Sequence, residues 1–159
     1  MKKVIIIKKI ITGVLLFGFI AAGLIDGLMN NKSTYSSIMG MNVSRLYFYS
    51  FTLFILGCWL LYNKWFVGIG FLSLAAFSVY FPEYKIIHNY FASILVYIGI
   101  LADMLVRREF KWLIPLLAVG VAQGIAFQYI NLGRYFVGGM EFLALSIGSV
   151  FILKNIKWT

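Results

Sequence analysis

The sequence predicts an all-α polytopic membrane protein, a single transmembrane domain over residues 1–159. In it six transmembrane helices form a bundle with both termini inside the cell. Two observations predict this class. The chain is 62% hydrophobic and only 12% charged, whereas soluble domains carry about 25% charged residues, so it has too few polar side chains for a water-facing surface. Its apolar residues also fall into six runs separated by polar turns, and its length suits one compact bundle.

Six apolar segments have about the length that a helix needs to cross the hydrocarbon core, roughly 17–25 residues. They are residues 10–29, 46–62, 65–81, 86–106, 112–130 and 135–153. The first follows a basic start, "MKKVIIIKK", as a secretory signal would. Because its apolar run continues to Met29, we expect an uncleaved first span.

Local signals mark several ends of these spans. The second and third spans are short and joined only by Asn63 and Lys64, which predicts a tight helical hairpin. Pro82 is expected to end the third span. Pro115 is expected in the first turn of the fifth, where a missing backbone N–H costs little.

The positive charges predict the orientation, because Lys and Arg accumulate on the cytoplasmic side of a membrane. With the N-terminus inside, ten of the fourteen basic residues fall in inner segments. These are Lys2, Lys3, Lys8, Lys9, Lys64, Arg107, Arg108, Lys111, Lys154 and Lys157. The net charge of +9 is therefore interpreted as a topology signal and a contact with anionic lipid. No nucleic-acid partner is expected.

The same orientation predicts a layer of polar side chains near the outer ends of the spans. It contains most of the acids, the sole histidine and two arginines. Its members are Asp26, Arg45, Glu83, His88, Asn89, Gln128, Arg134 and Glu141. Ionisable residues within a span usually face the bundle interior or a wet cavity, so this layer is the candidate site.

Helical phase predicts which way the histidine faces. At 100° per residue, His88, Ala92, Gly99 and Asp103 share one stripe of the fourth span. Small residues mark close helix contact in membranes, so His88 is expected to point into the bundle. Further along the stripe, Asp103 is expected to pair with a neighbouring arginine at the inner interface.

Several chemistries suit the polar layer. His88 with Glu83 and Glu141 could form a general acid/base set, because a histidine oriented by a carboxylate can activate water or a lipid hydroxyl. With Asp26 the same three could hold a divalent cation, but one histidine and dispersed acids are a loose metal signature, and no metal site is predicted.

The layer could instead bind a polar ligand or a lipid headgroup, with an arginine meeting a phosphate. The candidate ligand-binding residues are Asp26, Arg45, Asn89, Gln128 and Arg134. A third interpretation is that the polar side chains only bond with one another and hold the helices in register. No cofactor is expected, since the chain has no redox cysteine pair, haem-ligand pair or zinc-protease motif.

The C-terminal half resembles a known family. "FPEYKIIHNYFASILVYIGI" followed by "GGMEFLALSIGSVFIL" resembles the DRAM/Sfk-like six-span membrane proteins and their small bacterial relatives. The features carrying the resemblance are the Phe81-Pro82 turn, His88 at the start of the next span, and Glu141-Phe142 in the last span. The resemblance implies a lipid-linked role: membrane organisation, lipid asymmetry or lipid-anchor remodelling.

These observations predict a multi-pass protein of a bacterial plasma membrane (the inner membrane) that binds, and in one version modifies, a lipid or small amphiphile in an outer-leaflet polar cavity. Three alternatives stay open: a small transporter or substrate-capture subunit, a membrane-embedded hydrolase or acyl transferase, and a non-catalytic assembly subunit. Membrane lipids are the expected partners, and a membrane-protein partner or a homo-oligomer is compatible with the sequence.

Overall fold

The structure, a computed structural model, describes residues 2–32, 38–39, 41–62, 64–77, 81–128 and 134–155. Over these ranges the chain is helical and contains no β-strand, which confirms the predicted all-α class. Seven α-helices follow one another: α1 Lys2–Met29, α2 Val43–Leu61, α3 Trp65–Ala76, α4 Lys85–Phe91, α5 Gly99–Val106, α6 Phe110–Gln128 and α7 Arg134–Asn155. A 3₁₀ turn, Pro82–Tyr84, precedes α4, and a π-helical segment, Ala92–Ile98, joins α4 to α5.

Three of the helices are long and apolar enough to cross a membrane: residues 3–29 in α1, residues 43–61 in α2 and residues 136–155 in α7. Shorter apolar helices cover residues 65–76, 94–106 and 110–125. Many large apolar side chains point outward, among them Ile25 and Phe51. An exposed apolar surface of this kind suits a lipid solvent, and the architecture is that of a membrane protein.

Three helix ends differ from the positions the sequence predicted. α1 already begins at Lys2, so the basic start is helical rather than a flanking tail. α3 ends at Ala76, ahead of Pro82, because Phe77 leaves the helical conformation (φ −103°, ψ 78°). α6 begins at Phe110, which puts Pro115 inside the helix and beyond its first turn. Proline restricts its own φ and the residue before it, so it did not determine where α3 stops.

Glycines allow α2 and α3 to pack unusually closely. A Cβ on Gly68 would lie 2.6 Å from the backbone of Leu61 and 2.9 Å from the carbonyl oxygen of Gly57. A Cβ on Gly57 would meet the side chain and backbone of Leu72. Small residues at such a crossing let two backbones approach, as they do between membrane helices. The predicted helical hairpin is confirmed.

The helices pack beside their neighbours along the chain. α1 lies against α2 and α7, α3 lies against α2 and the π-helical segment, and α6 lies against α5 and α7. The core between them is apolar. Its most buried side chains include Tyr49, Leu56, Leu60, Met104, Leu116 and Phe151.

Hydrogen bonds and ion pairs gather at two levels of this bundle. At one end the start of α1 meets the end of α2, where the Trp59 indole Nε1–H donates to the buried Thr12 hydroxyl at 2.9 Å. The pairs that involve Lys64, Asp103 and Glu109 lie at this same end, called here the Asp103 end. At the opposite end, called the Asp26 end, the last turn of α1 meets the first turn of α2.

Candidate functional site

An ion pair between Asp26 and Arg45 dominates the Asp26 end. The guanidinium Nε–H of Arg45 donates to Asp26 Oδ2 at 2.8 Å, and Nη2 donates to Oδ1 at 2.9 Å. This two-point contact fixes the plane of the guanidinium as well as its position. The side chain of Asp26 is only 21% exposed and that of Arg45 only 28%, so most of the surface of the pair is covered by the protein.

Two further side chains bind the same carboxylate. Asn30 Nδ2 donates to Asp26 Oδ1 at 2.6 Å, and the Tyr49 hydroxyl lies 3.2 Å from both Asp26 Oδ2 and the Ala22 carbonyl oxygen. Residues four apart are neighbours on one face of a helix, which is why Asn30 reaches Asp26 along α1 and Tyr49 stands beside Arg45 on α2. The local helical period therefore builds the cluster.

The start of α2 is fixed by a side-chain cap. Asn42 has an extended backbone (φ −163°, ψ 166°), and its Oδ1 accepts a hydrogen bond from the Arg45 backbone N–H at 2.9 Å. Asparagine is among the best N-cap residues because this bond satisfies one of the free N–H groups of the first turn. The cap starts the helix at a register that places Arg45 opposite Asp26.

A cleft of about 410 Å³ opens beside this ion pair. Its lining combines apolar side chains with the polar cluster. The apolar part is Ala22, Ile25, Met29 and Phe48, and the polar part is Asp26, Asn42, Ser44, Arg45 and Tyr49. The cleft is shallow and open on one side, so it suits a ligand that lies against α1 and α2 rather than one that is enclosed by them.

Asp26 and Arg45 were both predicted as ligand-binding residues, and the structure brings them into direct contact. Asn30, Asn42 and Tyr49 were not predicted. The spacing of four between Asp26 and Asn30, and again between Arg45 and Tyr49, was a signal that could have found two of them. Asn42, an N-cap residue at the start of an apolar helix, could have been found from the capping pattern.

His88, predicted to point inward, is buried, with 6% of its surface exposed. Its Nδ1 lies 2.8 Å from the backbone carbonyl oxygen of Phe77. The Phe77 ring stacks on Phe91 with centroids 5.7 Å apart and meets Tyr84 edge-on. In this arrangement the imidazole and the aromatic rings tie the end of α3 to α4.

The remaining predicted site residues are spread over several elements. Glu83 is exposed on the 3₁₀ turn, and Glu141 is half-buried on α7. The side chains of Asn89, Gln128 and Arg134 lie outside the described residues. Within the described ranges no three or more His, Cys, Asp or Glu side chains are grouped so that they could hold a metal ion.

A second set of charges joins the helices at the Asp103 end. Asp103 accepts hydrogen bonds from Lys64 Nζ and from Arg107 Nε, the latter at 2.8 Å. The predicted pairing of Asp103 with an arginine is confirmed for Arg107, whereas Lys64, from the turn before α3, was not anticipated. Lys64 is only 8% exposed in its side chain, and its ammonium also lies 5.5 Å from the ring centroid of Phe151.

Glu109 and Lys154 form the other pair at this end. Lys154 Nζ donates to the two carboxylate oxygens of Glu109 at 2.8 and 3.0 Å. This bond, together with the positive charges nearby, holds the pKa of the Glu109 carboxyl below its ordinary value. Since Glu109 precedes α6 and Lys154 ends α7, the pair fastens two neighbouring helices together.

Comparisons with protein-family models, with curated proteins and with solved structures found no match for this chain. The resemblance to the DRAM/Sfk-like proteins stays a prediction from the sequence. The geometry itself defines a general class: an all-helical protein with membrane-length apolar helices and an amphipathic cleft at one end.

Proposed function

We propose that this chain is a six-pass bacterial plasma-membrane protein that binds a lipid or small amphiphile in the cleft at the Asp26 end. The observation that carries the proposal is the composition of the cleft, in which exposed apolar side chains of α1 and α2 flank a half-buried ion pair. A ligand that complements both parts has an apolar body and a polar head.

Six spans are supported by the three long apolar helices and by the three shorter apolar ones between them. The charges support one common orientation. Lys64, Asp103, Arg107, Glu109 and Lys154 gather at one end of the bundle, and that end carries most of the basic residues. Because positive charge favours the cytoplasmic side, the Asp103 end is proposed to be cytoplasmic and the cleft to open toward the outer leaflet.

The ion pair suits binding better than catalysis. A general base must be within reach of its substrate and free to accept a proton. Asp26 already accepts hydrogen bonds from Arg45, Tyr49 and Asn30, and the ring nitrogen Nδ1 of His88 faces a backbone carbonyl. We therefore propose recognition of the amphiphile, without a chemical step, as the function.

The test introduces a bulky side chain into the cleft and leaves the ion pair of Asp26 and Arg45 unchanged. Ser44 lines the cleft and is exposed at the start of α2, so Ser44→Trp should occupy the ligand's place. Tyr47→Trp is the matched control, since Tyr47 is exposed nearby on the same helix and does not line the cleft. Native mass spectrometry of delipidated protein with added short-chain lipids should show bound lipid for wild type and Tyr47→Trp, and little for Ser44→Trp. Equal lipid retention by the two variants would contradict the proposal.

A further inference from the structure

We infer that the cleft selects an anionic phospholipid, whose phosphate binds the free edge of the Arg45 guanidinium. This inference rests on the proposed function, because it names the class of head that the amphiphile carries. It follows from which polar atoms of the cleft are already bonded and which are not.

The carboxylate of Asp26 has few hydrogen-bond acceptor positions left for a ligand. Its Oδ1 accepts from Asn30 and from the Arg45 guanidinium, and its Oδ2 accepts from Arg45 and from Tyr49. The charges of the carboxylate and the guanidinium balance each other, so free hydrogen-bonding groups rather than net charge decide which head binds. A cationic head, such as a quaternary amine, would find no free acceptor on this carboxylate.

Asp26 binds only one edge of the Arg45 guanidinium. Arginine carries five N–H donors, and Asp26 engages Nε and Nη2. In the described part of the chain no hydrogen bond reaches Nη1 of Arg45. Since the side chain is 28% exposed, this edge can face a ligand in the cleft. Paired donors in one plane match the oxygens of a phosphate.

The neighbouring groups on α2 add further donors and no competing charge. Ser44 contributes a hydroxyl to the lining, and the first turn of α2 carries the partial positive charge of a helix N-terminus. The free polar capacity of the cleft is therefore dominated by donors, which favours an acceptor-rich, negatively charged head.

The apolar walls decide between a lipid and a free phosphate. Ile25 and Met29 on α1 and Phe48 on α2 line the cleft with largely exposed side chains; Met29 is 80% exposed. In a membrane this surface faces acyl chains rather than water, so a ligand seated against it must present apolar area of its own to the same surroundings. Glycerol-backbone and acyl carbons beside the phosphate supply that area, whereas inorganic phosphate does not.

The experiment compares ligands that differ in one part at a time. Delipidated wild-type protein in a neutral detergent is titrated with four short-chain probes. They are dihexanoyl phosphatidylglycerol, dihexanoyl glycerol, a dihexanoyl trimethylammonium lipid and glycerol phosphate, and bound ligand is counted by native mass spectrometry. A charge-assisted hydrogen bond predicts that the phosphatidylglycerol binds about tenfold or more tightly than the other three.

Two variants test the role given to the guanidinium. Asp26→Asn removes the neutralising partner, so phosphatidylglycerol affinity should rise severalfold. The double variant Asp26→Asn with Arg45→Gln leaves no buried charge uncompensated, and it should bind phosphatidylglycerol and diacylglycerol equally. Unchanged or weaker phosphatidylglycerol binding by the folded Asp26→Asn variant would overturn the assignment, because release of the guanidinium from its partner should strengthen its bond to the phosphate.

The possible failures are distinguishable. If no probe binds, or if Ser44→Trp retains every probe, the proposed function itself fails. If all three lipids bind equally and Ser44→Trp excludes them, the cleft binds amphiphiles but the inference about phosphate is wrong. If glycerol phosphate binds as well as the phosphatidylglycerol, the oxyanion chemistry holds, and the lipid assignment is overturned in favour of a soluble ligand.

Discussion

Removal of the Asp103 carboxylate is expected to destabilise the protein far more than removal of either cation that it binds. Lys64 is only 8% exposed in its side chain and, among the described residues, Asp103 is its one hydrogen-bond acceptor. Asp103→Asn would leave this ammonium buried without a counter-charge. Loss of one partner of a fully buried pair costs about 3–5 kcal/mol. Asp103 is 28% exposed, and asparagine keeps a carbonyl acceptor, so we expect about 2–3 kcal/mol.

The two cations should behave differently from the carboxylate. Lys64→Met removes the buried charge itself and leaves Asp103 paired with Arg107, so about 1 kcal/mol is expected. Arg107→Gln removes only a partly exposed pair at i,i+4 spacing, for which about 0.3–0.5 kcal/mol is typical. The double variant Lys64→Met with Asp103→Asn should recover most of the loss, because neither side chain then carries a charge that needs a partner.

Reversible unfolding in mixed detergent micelles, followed by tryptophan fluorescence and circular dichroism, gives the free energies for these variants. The order Asp103→Asn, Lys64→Met, Arg107→Gln, from most to least destabilised, is the expected result. The reasoning is refuted if Lys64→Met costs as much as Asp103→Asn, or if the double variant costs the sum of the two single variants.

Two further predictions concern other contacts of the same end. Trp59→Phe should cost about 1 kcal/mol more than Trp112→Phe, since the Trp59 indole donates to Thr12 whereas the buried Trp112 Nε1 has no partner among the described residues; equal losses in the unfolding assay would contradict this. The pairing of Glu109 with Lys154 lowers the carboxyl pKa, so its contribution to stability is fully present above the ordinary value of 4.5 and is lost as the pH falls through the lower folded pKa. The melting-temperature difference between wild type and Glu109→Gln should therefore stay constant above about pH 4.5 and shrink as the pH falls further below that value; a difference that stays constant in acid as well would rule out this linkage.

The helical class and the hairpin of α2 and α3 were predictable because they depend on composition and on the length of apolar runs. The residues at which the helices end were harder to predict. α3 ends next to Phe77, whose carbonyl oxygen bonds to His88, a residue beyond an intervening turn. No local pattern in "FLSLAAFSVYFP" predicts that contact. Pro82 looked like the terminator, yet the structure uses it to begin the 3₁₀ turn.

A uniform helical period was a poor basis for predicting side-chain directions in the fourth predicted span. It placed His88 and Asp103 on one stripe at 100° per residue. The structure inserts the π-helical segment Ala92–Ile98 between them, and π turns follow an i→i+5 bonding pattern that alters the phase. His88 is nevertheless buried and Asp103 half-buried, but a uniform period cannot relate residues on either side of such a segment.

The candidate site was predictable in its two charged members, but not in its uncharged members or in its contacts. Asp26 and Arg45 stood out because charge is rare in these apolar segments. Their partnership depends on the antiparallel pairing of α1 with α2 and on the cap at Asn42, both of which are tertiary facts. The predicted grouping of His88 with Glu83 and Glu141 stays a prediction, since the described contacts of His88 join it only to the Phe77 carbonyl oxygen.

Two of the polar contacts between α1 and α2, one at each level of the bundle, affect how this protein reaches a single arrangement. Thr12 with Trp59 and Asp26 with Arg45 lie about 21 Å apart along α1, at about 1.5 Å per residue. In lipid, apolar side chains gain little from facing a neighbour rather than an acyl chain, so a largely apolar helix has almost no preferred rotation of its own. The two contacts remove that freedom. Rotation of α1 about its axis, or its translation by one turn along α2, would break both of them.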